Sequence, residues 1–559
     1  MLDPSAYPDS FARDHLPPPA LWPVMDGAGL PELAYPKRMN AAVELLDRMV
    51  EAGFGDRPCI RAADGEIWSY AALLDKANRI AGILVAEMGL RPGNRVLLRA
   101  ANAPMLAAAW FAVLKAGGIA VATMPLLRAR ELAYVIDKAK VAFALCDAGL
   151  SAELEAARGK SEALRRILYF NGAGAEGLEA RMARQSPSFD NVIPSRDDVA
   201  LIAFTSGTTG PAKATVHFHC DVLAICDCFP RSTLRPSAAD IFCGSPPLAF
   251  TFGLGGLLLF PMRFGASTLL LEKTTPEILL QAIEDHRATT VFTAPTMYRA
   301  MTELAPRFDL ESLRACVSAG EHLPAPVFEG WRKASGIATI DGLGSTEMLH
   351  IFVAAAGAEI RPGATGKAIP GYSAIVVDGE MRPVPPGTIG HLAVRGPTGC
   401  RYLDDAERQK RYVRDGWNLT GDAYKMDEDG YLWYQARTDD MIISAGYNIS
   451  GPEIEAVLLE HPKVRECAVI GVPDPQRGQI VKAFIVLHDP TEAGVATTRE
   501  LQDFVKRQVA PYKYPRAIAY LGALPRTETG KVQRFRLREI AEGPAAPEPA
   551  AALQAARTG

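Results

Sequence analysis

The sequence has little net charge and lacks the marks of several protein classes. Its 60 lysines and arginines nearly balance 64 aspartates and glutamates, giving a formal charge of −4 at pH 7. Binding to nucleic acid or to an anionic membrane surface usually needs a basic excess, so neither partner is expected. The most apolar stretch, residues 253–271, is interrupted by Pro261 and Arg263, so it is too short an uncharged run to span a bilayer. It predicts a buried core segment.

Paired cysteine spacing and a targeting segment are also lacking. The nine cysteines are scattered, and an odd number argues against a disulfide framework and for a reducing compartment. The N-terminal MLDPSAYPDSFARD has neither the basic start nor the apolar run of a secretory signal, so a cytoplasmic protein is expected. The cluster HFHCDVLAICDC at 217–228 matches no zinc spacing. It favours buried thiols on a helix over a metal site.

With 559 residues the chain exceeds one hydrophobic core, so at least two domains are expected. In the first half, apolar β-branched runs such as RVLLRAAN and VALIAFTS alternate with helical patterns at 105–115 and 275–286. This alternation predicts βαβ units and a largely parallel sheet. From about Gly363, short strands between Pro/Gly turns predict antiparallel structure. From about Asp439 a mixed α+β pattern predicts a small second domain.

A loop rich in hydroxyls and glycine follows the predicted strand VALIAF. Its glycines let backbone N–H groups approach an anion closely, while its hydroxyls and a lysine supply further donors, which suits a polyphosphate. The residues concerned are Thr205, Ser206, Gly207, Thr208, Thr209, Gly210 and Lys213. The loop is not a Walker A motif, because its two glycines are only three positions apart and no Ser or Thr stands directly after the lysine. Taken alone, this segment is also typical of an ordinary Ser/Thr/Gly surface loop that binds no nucleotide.

The segment TSGTTGPAK at 205–213 resembles the signature of the adenylate-forming superfamily, which includes acyl-CoA synthetases, adenylation domains of peptide synthetases and luciferases. Further motifs of that family follow in order: DGLGSTE at 341–347, TGD at 420–422, ARTDDMIISAGYNIS at 436–450 and PRTETGKVQR at 525–534. The resemblance implies an α/β fold with a large N-terminal domain, residues 1–438. That domain would combine parallel-type α/β subdomains with a small β-barrel-like part. A small mobile α+β C-terminal domain, 439–542, and a disordered tail, 543–559, would follow.

The same resemblance implies an ATP site with Mg²⁺. Asp341 would take the adenine amino group, Thr346 would touch the phosphate and Glu347 would hold the metal. A carboxylate is the hard oxygen ligand that Mg²⁺ prefers. Asp422 would accept hydrogen bonds from the ribose, and Arg437 would reach the ribose and phosphate. The remaining nucleotide residues implied are Gly320, Glu321, His322, Gly342, Leu343, Gly344 and Ser345.

The C-terminal motifs imply a two-step mechanism. Lys531 matches the catalytic lysine, whose ammonium would stabilise the charge that develops as a carboxylate attacks the α-phosphate. Asp439 falls on the family's hinge, about which the small domain would rotate. Coenzyme A would then enter along Ser444, Ala445 and Gly446. The chain departs from the family in one place, because Ala436 stands before Arg437 where glycine is usual.

The acid pocket is implied by three segments that together hold Ala249, Phe250, Phe252, Gly344, His350 and Ile351. Gly344 stands where short-chain acetate enzymes carry a tryptophan, which leaves room for a ring or chain. GSTEMLHIF and FARDHLPPPALWP resemble the benzoate and 2-aminobenzoate CoA ligase subgroup. His350 would either meet a ring substituent or be a core histidine satisfied by the backbone.

The sequence thus indicates an AMP-forming aryl-CoA ligase that takes ATP, an aromatic carboxylic acid and coenzyme A. The substrate that the resemblance favours is 2-aminobenzoate, with benzoate next. A medium-chain fatty-acid CoA ligase and a stand-alone adenylation enzyme that loads a carrier protein remain alternatives. A degenerate nucleotide-binding scaffold is disfavoured, because Lys531, Glu347 and Asp422 are all retained. Dimers are common in the family, which makes a homodimer a candidate assembly.

Overall fold

Parallel strands alternate with helices through the first half of the chain, as the sequence predicts. The computed structural model describes residues 2–27, 29–172, 174–205, 212–444, 447–475, 477–509, 513–527 and 530–542. The chain divides into two compact units. The first comprises Met1–Leu323, Gly330–Ile375 and Ala393–Thr420, and the second comprises Pro324–Glu329, Val376–Leu392 and Gly421–Gly559.

The strands are numbered in chain order. They are β1 Pro58–Ala62, β2 Ile67–Ser69, β3 Arg95–Arg99, β4 Ile119–Thr123, β5 Phe143–Asp147, β6 Arg166–Phe170, β7 Val199–Thr205, β8 Lys213–Phe218, β9 Ile241–Gly244, β10 Ser267–Leu270, β11 Thr290–Thr293, β12 Ala315–Ala319, β13 Thr339–Gly344, β14 Ile351–Ala354, β15 Lys367–Ala368, β16 Ser373–Val377, β17 Ile389–Arg395, β18 Val413–Arg414, β19 Trp417–Met426, β20 Leu432–Arg437, β21 Ile442–Ser444, β22 Tyr447–Ile449, β23 Val464–Asp474, β24 Gly478–Leu487 and β25 Ala517–Tyr520.

The α-helices are numbered likewise. They are α1 Phe11–Asp14, α2 Tyr70–Ala86, α3 Pro104–Lys115, α4 Ala129–Ala139, α5 Ser151–Arg158, α6 Leu178–Met182, α7 His219–Phe229, α8 Thr251–Leu254, α9 Phe260–Arg263, α10 Pro276–His286, α11 Pro295–Leu304, α12 Ala325–Ser335, α13 Ala406–Tyr412, α14 Gly451–Leu459, α15 Val495–Gln508 and α16 Arg534–Glu542. Segments of π-helix cover Val43–Asp47, Val50–Phe54, Pro230–Leu234 and Gly255–Leu259.

The first unit contains a six-stranded sheet in the order β6-β5-β3-β4-β7-β8. Its strands run parallel except β8, which pairs antiparallel to β7. All five residues of β3 are buried, as expected of a strand covered on both faces. Thr205, the last residue of β7, pairs with Lys213, the first of β8. The two ends of the predicted phosphate loop are therefore held side by side.

A nine-stranded sheet in the order β15-β14-β13-β12-β11-β9-β10-β1-β2 completes the α/β part of this unit. Six neighbouring strands from β13 to β1 are parallel. Beyond them, β14 pairs antiparallel to β13. The DGLGSTE motif begins on β13 and continues past its carboxyl end, where ligands bind in sheets of this kind.

The apolar stretch 253–271 forms α8, the π-segment Gly255–Leu259, α9 and β10. Most of its side chains are buried, which confirms the predicted core segment. Among the described residues, none of the helices combines the length and the apolar character needed to cross a membrane. Helix α7 carries the clustered cysteines, and Cys226 and Cys228 on it are buried thiols, as predicted. The described residues contain no group of three or more His, Cys, Asp or Glu placed to hold a metal.

The C-terminal part of the second unit is α+β, as the sequence predicts. Strands β23 and β24 form a long antiparallel ladder. On the other edge of β24, β25 pairs in parallel and β21 pairs antiparallel, with β22 beyond β21. Helices α14 and α15 bury Ile454, Leu458 and Leu501 against it. Strands β16 to β20 make a separate five-stranded sheet, and β19 pairs antiparallel with β18 and β20. The mixed α/β fold class with parallel sheets and a C-terminal domain is thereby confirmed.

The buried histidines of the first unit predict a stability that falls on acidification. Burial lowers the pKa of His217 to about 4, and that of His219 and His350 to about 3. In the unfolded chain imidazoles take up protons below about pH 6.5, so protons favour unfolding between that pH and the folded pKa. We expect the urea midpoint to fall between pH 7 and pH 5, with each histidine contributing up to about 1.4 kcal/mol per pH unit.

The variant His219→Gln should unfold with a shallower pH dependence, because it removes one of these imidazoles. His488→Gln, at an exposed position, should leave the slope of the wild type unchanged. Urea titrations at pH 7, 6 and 5 measure both. Equal slopes in the three proteins would contradict the assignment.

Candidate active site

The carboxylate of Glu347 is buried in the first unit and touches two side chains from distant segments. The hydroxyl of Tyr402 donates to its Oε1 at 2.7 Å, and Nζ of Lys213 lies 3.6 Å from the same oxygen. Tyr402 reaches this position because it forms an antiparallel bridge with Thr215 on β8. Glu347, in the turn that follows β13, is therefore joined to Lys213 at the end of the phosphate loop and to Tyr402.

The chemistry of this group suits a divalent cation. Burial and the negative charge of Glu347 raise the pKa of the Tyr402 phenol, so Tyr402 remains a hydrogen-bond donor. Among the described residues, Tyr402 and Lys213 both contact Oε1, so Oε2 is the oxygen that would meet a metal. A single carboxylate together with substrate phosphates is the ligand set that Mg²⁺ commonly uses. Glu347 therefore fits the metal role expected from the sequence.

A hydrogen bond from His217 holds the backbone of Thr346. The imidazole Nε2 of His217 donates to the Thr346 carbonyl at 2.8 Å, and both groups lie in the first unit. Burial lowers the pKa of His217 to about 4, so the ring is neutral near pH 7. Beside it, Asp221 forms a buried ion pair with Arg401 at 2.8 Å. Ser345 caps the turn, since its Oγ accepts from the N–H of Met348 at 3.2 Å.

The remaining nucleotide residues of the first unit lie at or after the ends of β12 and β13. Gly320, Glu321 and His322 follow β12 directly, and Gly320 has φ of +93°, which favours glycine. Asp341 lies on β13 opposite Ser318 of β12. Burial raises the pKa of Asp341, and a hydrogen bond with Thr365 opposes that shift. Ser206, Gly207, Thr208, Thr209 and Gly210 lie outside the described residues.

The predicted acid-pocket residues Phe252 and His350 lie in one aromatic region of the first unit, and Ile351 follows His350 as the first residue of β14. The His350 ring is 4.5 Å from the Phe260 ring and 5.7 Å from the Phe252 ring, measured between centroids. Its Nε2 donates to the Phe252 carbonyl at 3.3 Å, while its Nδ1 has no partner among the described residues. The backbone thus satisfies one ring nitrogen, and the other is a buried acceptor that no described residue meets.

Glycine at two positions of β13 follows from close packing. A Cβ on Gly344 would lie 2.8 Å from the His350 carbonyl oxygen, and one on Gly342 would lie 2.4 Å from Cδ1 of Ile351. Neither position accepts a side chain without a shift of its neighbours. Ala249 and Phe250 are half-buried and line a small cleft with Trp110 and Leu254. These apolar walls and the aromatic region both suit a ring.

The second unit holds the other motif residues. Asp422 on β19 pairs with Arg437 on β20, and the guanidinium Nη1 donates to Asp422 Oδ1 at 3.0 Å. Gly421 has φ of +77°, and a Cβ there would lie 2.7 Å from the Arg437 guanidinium. Asp439 falls in a single 3₁₀ turn, Thr438–Asp440. Asp422 of the ribose motif and Arg437 are therefore hydrogen-bonded to each other, which their spacing in the sequence does not predict.

The remaining C-terminal residues fall partly within the described structure. Ser444 is buried at the end of β21, whereas Ala445 and Gly446 lie outside the described residues. Lys531 is exposed just after a turn.

Sequence reasoning missed the groups that hold the motif residues in place. Tyr402 is 55 positions from Glu347, and His217 is 129 positions from Thr346. Neither lies in a motif with recognisable spacing, and the sequence singles out His217 only as part of the cysteine-containing cluster at 217–228. The sole local signal was that His217 follows Lys213 on the same strand, four residues after the phosphate loop.

The AMP-binding enzyme family matches residues 48–401, and the AMP-binding enzyme C-terminal domain matches residues 453–531. The benzoate–CoA ligase of Thauera aromatica is 33% identical over 513 residues, covering 91% of this chain and 97% of that protein. The crystal structure of the anthranilate CoA ligase AuaEII in complex with anthranoyl-AMP superposes with a TM-score of 0.86 at 32% identity, over 91% of this chain and 98% of that one. The structure of a benzoate CoA ligase from Burkholderia xenovorans LB400 superposes with a TM-score of 0.81 at 29% identity, over 89% of this chain and 100% of that one.

The matched family covers more than half of the chain, and the relatives span nearly all of it. The order of motifs, the parallel sheets and the C-terminal domain agree with the matches. The chain therefore belongs to the AMP-binding enzyme family, the adenylate-forming superfamily, in which it is an AMP-forming acid–CoA ligase of the aryl-CoA ligase subgroup.

Proposed function

We propose that this ligase activates an aromatic carboxylic acid, best 2-aminobenzoate and next benzoate, as its aryl-adenylate and then transfers the aryl group to coenzyme A. The observation that carries the activating step is Glu347, held by Tyr402 and Lys213 at the end of the phosphate loop. The substrate is supported by the aromatic region around His350 and by the relatives named for benzoate and anthranilate.

In the first step the acid carboxylate attacks the α-phosphorus of ATP, and pyrophosphate leaves. Lys213 and the hydroxyls of 205–209 bind the phosphates, and Thr346 touches the phosphate that reacts. Asp341 and the backbone at 320–322 and 342–345 hold the adenosine. Asp422 accepts from the ribose hydroxyls, and Arg437 spans ribose and phosphate. A Mg²⁺ ion held by Glu347 would supply positive charge for the departing pyrophosphate.

Lys531 adds a mobile ammonium to the same step. Charge develops on the attacking and leaving oxygens, and a cation placed there lowers the barrier more than it stabilises the bound substrates. The domain from 439 onward then rotates about Asp439, Lys531 leaves, and the coenzyme A thiol enters along residues 444–446. The thiol displaces AMP from the aryl carbonyl, so one difficult reaction is divided into two easier ones.

The acid is proposed to lie against Phe252 and the Ala249–Phe250 wall, whereas the glycine at 344 is explained by its close packing on the His350 backbone. Because Nε2 of His350 donates to a carbonyl, this nitrogen carries the proton and Nδ1 is an acceptor. A 2-amino group is a donor of matching polarity, whereas benzoate leaves Nδ1 without a partner. Leaving a buried acceptor without a hydrogen bond costs free energy, so binding of 2-aminobenzoate is favoured over binding of benzoate.

The closest alternative is an aliphatic acid, which the half-buried Ala249 and Phe250 would also accept. The other alternative is an enzyme that transfers the acyl group to a carrier protein in place of coenzyme A. Both are separated from the proposal by one set of assays.

Pyrophosphate release with single acids, measured with and without coenzyme A, tests the function. We expect 2-aminobenzoate and benzoate to exceed hexanoate and octanoate by at least about 10-fold in kcat/KM, as pocket shape discriminates on that scale. Steady turnover should require coenzyme A. Fastest turnover of octanoate would overturn the aryl assignment, and turnover independent of coenzyme A would overturn the thiol acceptor.

The role of His350 is tested by the ratio of the two aryl acids. His350→Leu should reduce the preference for 2-aminobenzoate over benzoate by about 2- to 10-fold, the value of one hydrogen bond. Phe260→Leu, which changes the ring packed beside the same imidazole, should affect both acids alike. An unchanged ratio in His350→Leu would show that Nδ1 does not read the amino group.

The variant Lys531→Ala separates the two steps. We expect single-turnover formation of the adenylate to fall about 10²- to 10³-fold, the usual cost of removing one transition-state donor. Conversion of premade aryl-AMP and coenzyme A to the thioester should change by less than about 3-fold, since the lysine has left the site by then. Equal losses in both steps would contradict this assignment.

A further inference from the structure

Lys531 follows a tight reverse turn in the C-terminal unit. The N–H of Thr527 donates to the Lys531 carbonyl at 2.7 Å, and the N–H of Gly530 donates to the Thr527 carbonyl at 2.9 Å. The N–H of Lys531 donates to the Thr527 hydroxyl at 3.1 Å. Gly530 has φ of +87°, a left-handed conformation that favours glycine. Hydrogen bonds therefore join Thr527 on one side of the turn to Gly530 and Lys531 on the other.

The stem of the turn is anchored by apolar packing. Arg526 and Val532 form an antiparallel bridge at its base. Val532 packs against a core cluster that includes the buried Leu524 and Leu537. The stem is thus part of the core of this unit, whereas the side chain of Lys531 projects at an exposed position beyond it.

Arg526 links Gly530 to strand β23 of the C-terminal sheet. Its Nη1 donates to the carbonyl of Gly530 at 2.6 Å, and its Nη2 donates to Glu466 Oε2 at 2.8 Å. Glu466 lies on β23, within the long ladder that β23 makes with β24. Both side chains are about three-quarters buried, with exposures of 25% and 21%. A guanidinium holds two partners at once in a fixed fork, which an ammonium does not.

The carbonyl that Arg526 holds belongs to the residue directly before Lys531. A lysine side chain has many rotamers, so the region its ammonium can reach depends on the position and direction of the backbone beneath it. Displacement of reacting groups by about 1 Å can cost about 10²-fold in rate. An anchor on Gly530 is therefore placed to affect the chemistry without touching a substrate.

We infer that Arg526 is a positioning residue for Lys531: its hydrogen bond to the Gly530 carbonyl, braced by Glu466, sets where the ammonium is presented during adenylation. The inference rests on the proposed function of Lys531. Arg526 contributes to the adenylating step alone, because the lysine is not used in thioester formation.

The test measures both half-reactions in Arg526→Gln and Glu466→Gln. Adenylation is followed as single-turnover pyrophosphate release with the acid that the wild type turns over fastest, and thioester formation is followed from the premade adenylate of that acid and coenzyme A. We expect Arg526→Gln to lose about 10- to 100-fold in adenylation, and Glu466→Gln about 3- to 10-fold. Thioester formation should stay within about 2-fold of wild type in both, which also shows that the variants are folded.

Two further variants complete the design. Arg526→Lys should recover only part of the adenylation rate, since one ammonium reaches the carbonyl or the carboxylate but does not bridge them. Arg536→Gln removes an exposed arginine of the same unit that pairs with Glu539, and it should match wild type in both steps.

The outcomes separate the inference from the function beneath it. Arg526→Gln with unchanged adenylation, or with equal losses in both half-reactions, overturns the positioning role while a selective loss in Lys531→Ala still stands. No selective loss in Lys531→Ala overturns the proposed role of the lysine itself, and the inference falls with it.

Discussion

A buried carboxylate has to be compensated, and the first unit of this protein is organised around that requirement at Glu347. An unpaired charge in this position would be strongly destabilising. Tyr402 and Lys213 supply a hydrogen bond and a positive charge on one of its oxygens. To do so, the chain has to bring the start of β8, the turn after β13 and the segment before α13 to one place. In the proposed function the other oxygen holds a cation, so stability and catalysis would make the same demand on the fold.

The motif residues are divided between the two compact units. The phosphate loop, Asp341 and Glu347 belong to the first, whereas Asp422, Arg437 and Lys531 belong to the second. Within each unit, hydrogen bonds hold motif residues in place: His217 donates to the Thr346 carbonyl, Arg437 to Asp422, and Arg526 to the Gly530 carbonyl. This division suits a reaction in which activation and transfer need different partners around the same acyl group.

Much of the fold could be predicted from the sequence, because its strands are continuous apolar runs and its helices have clear periodicity. The helix predicted at 275–286 begins one residue later, since the Thr275 side chain caps it by accepting from Ile278. The motif residues were also found from order and spacing. The residues outside the motifs that hold them, such as Tyr402 and His217, could not be found in this way. Their contacts join segments distant in sequence, and only tertiary packing determines which distant groups meet.

The coupling between Glu347 and the metal tests this account most directly. Equilibrium dialysis gives the affinity for ATP with excess Mg²⁺ and with EDTA, for the wild type and for Glu347→Gln. If Glu347 holds the cation, Mg²⁺ should tighten ATP binding to the wild type by at least about 10-fold, or about 1.4 kcal/mol, and this ratio should fall close to one in the variant. A ratio that is the same in both proteins would contradict the central role given to this carboxylate.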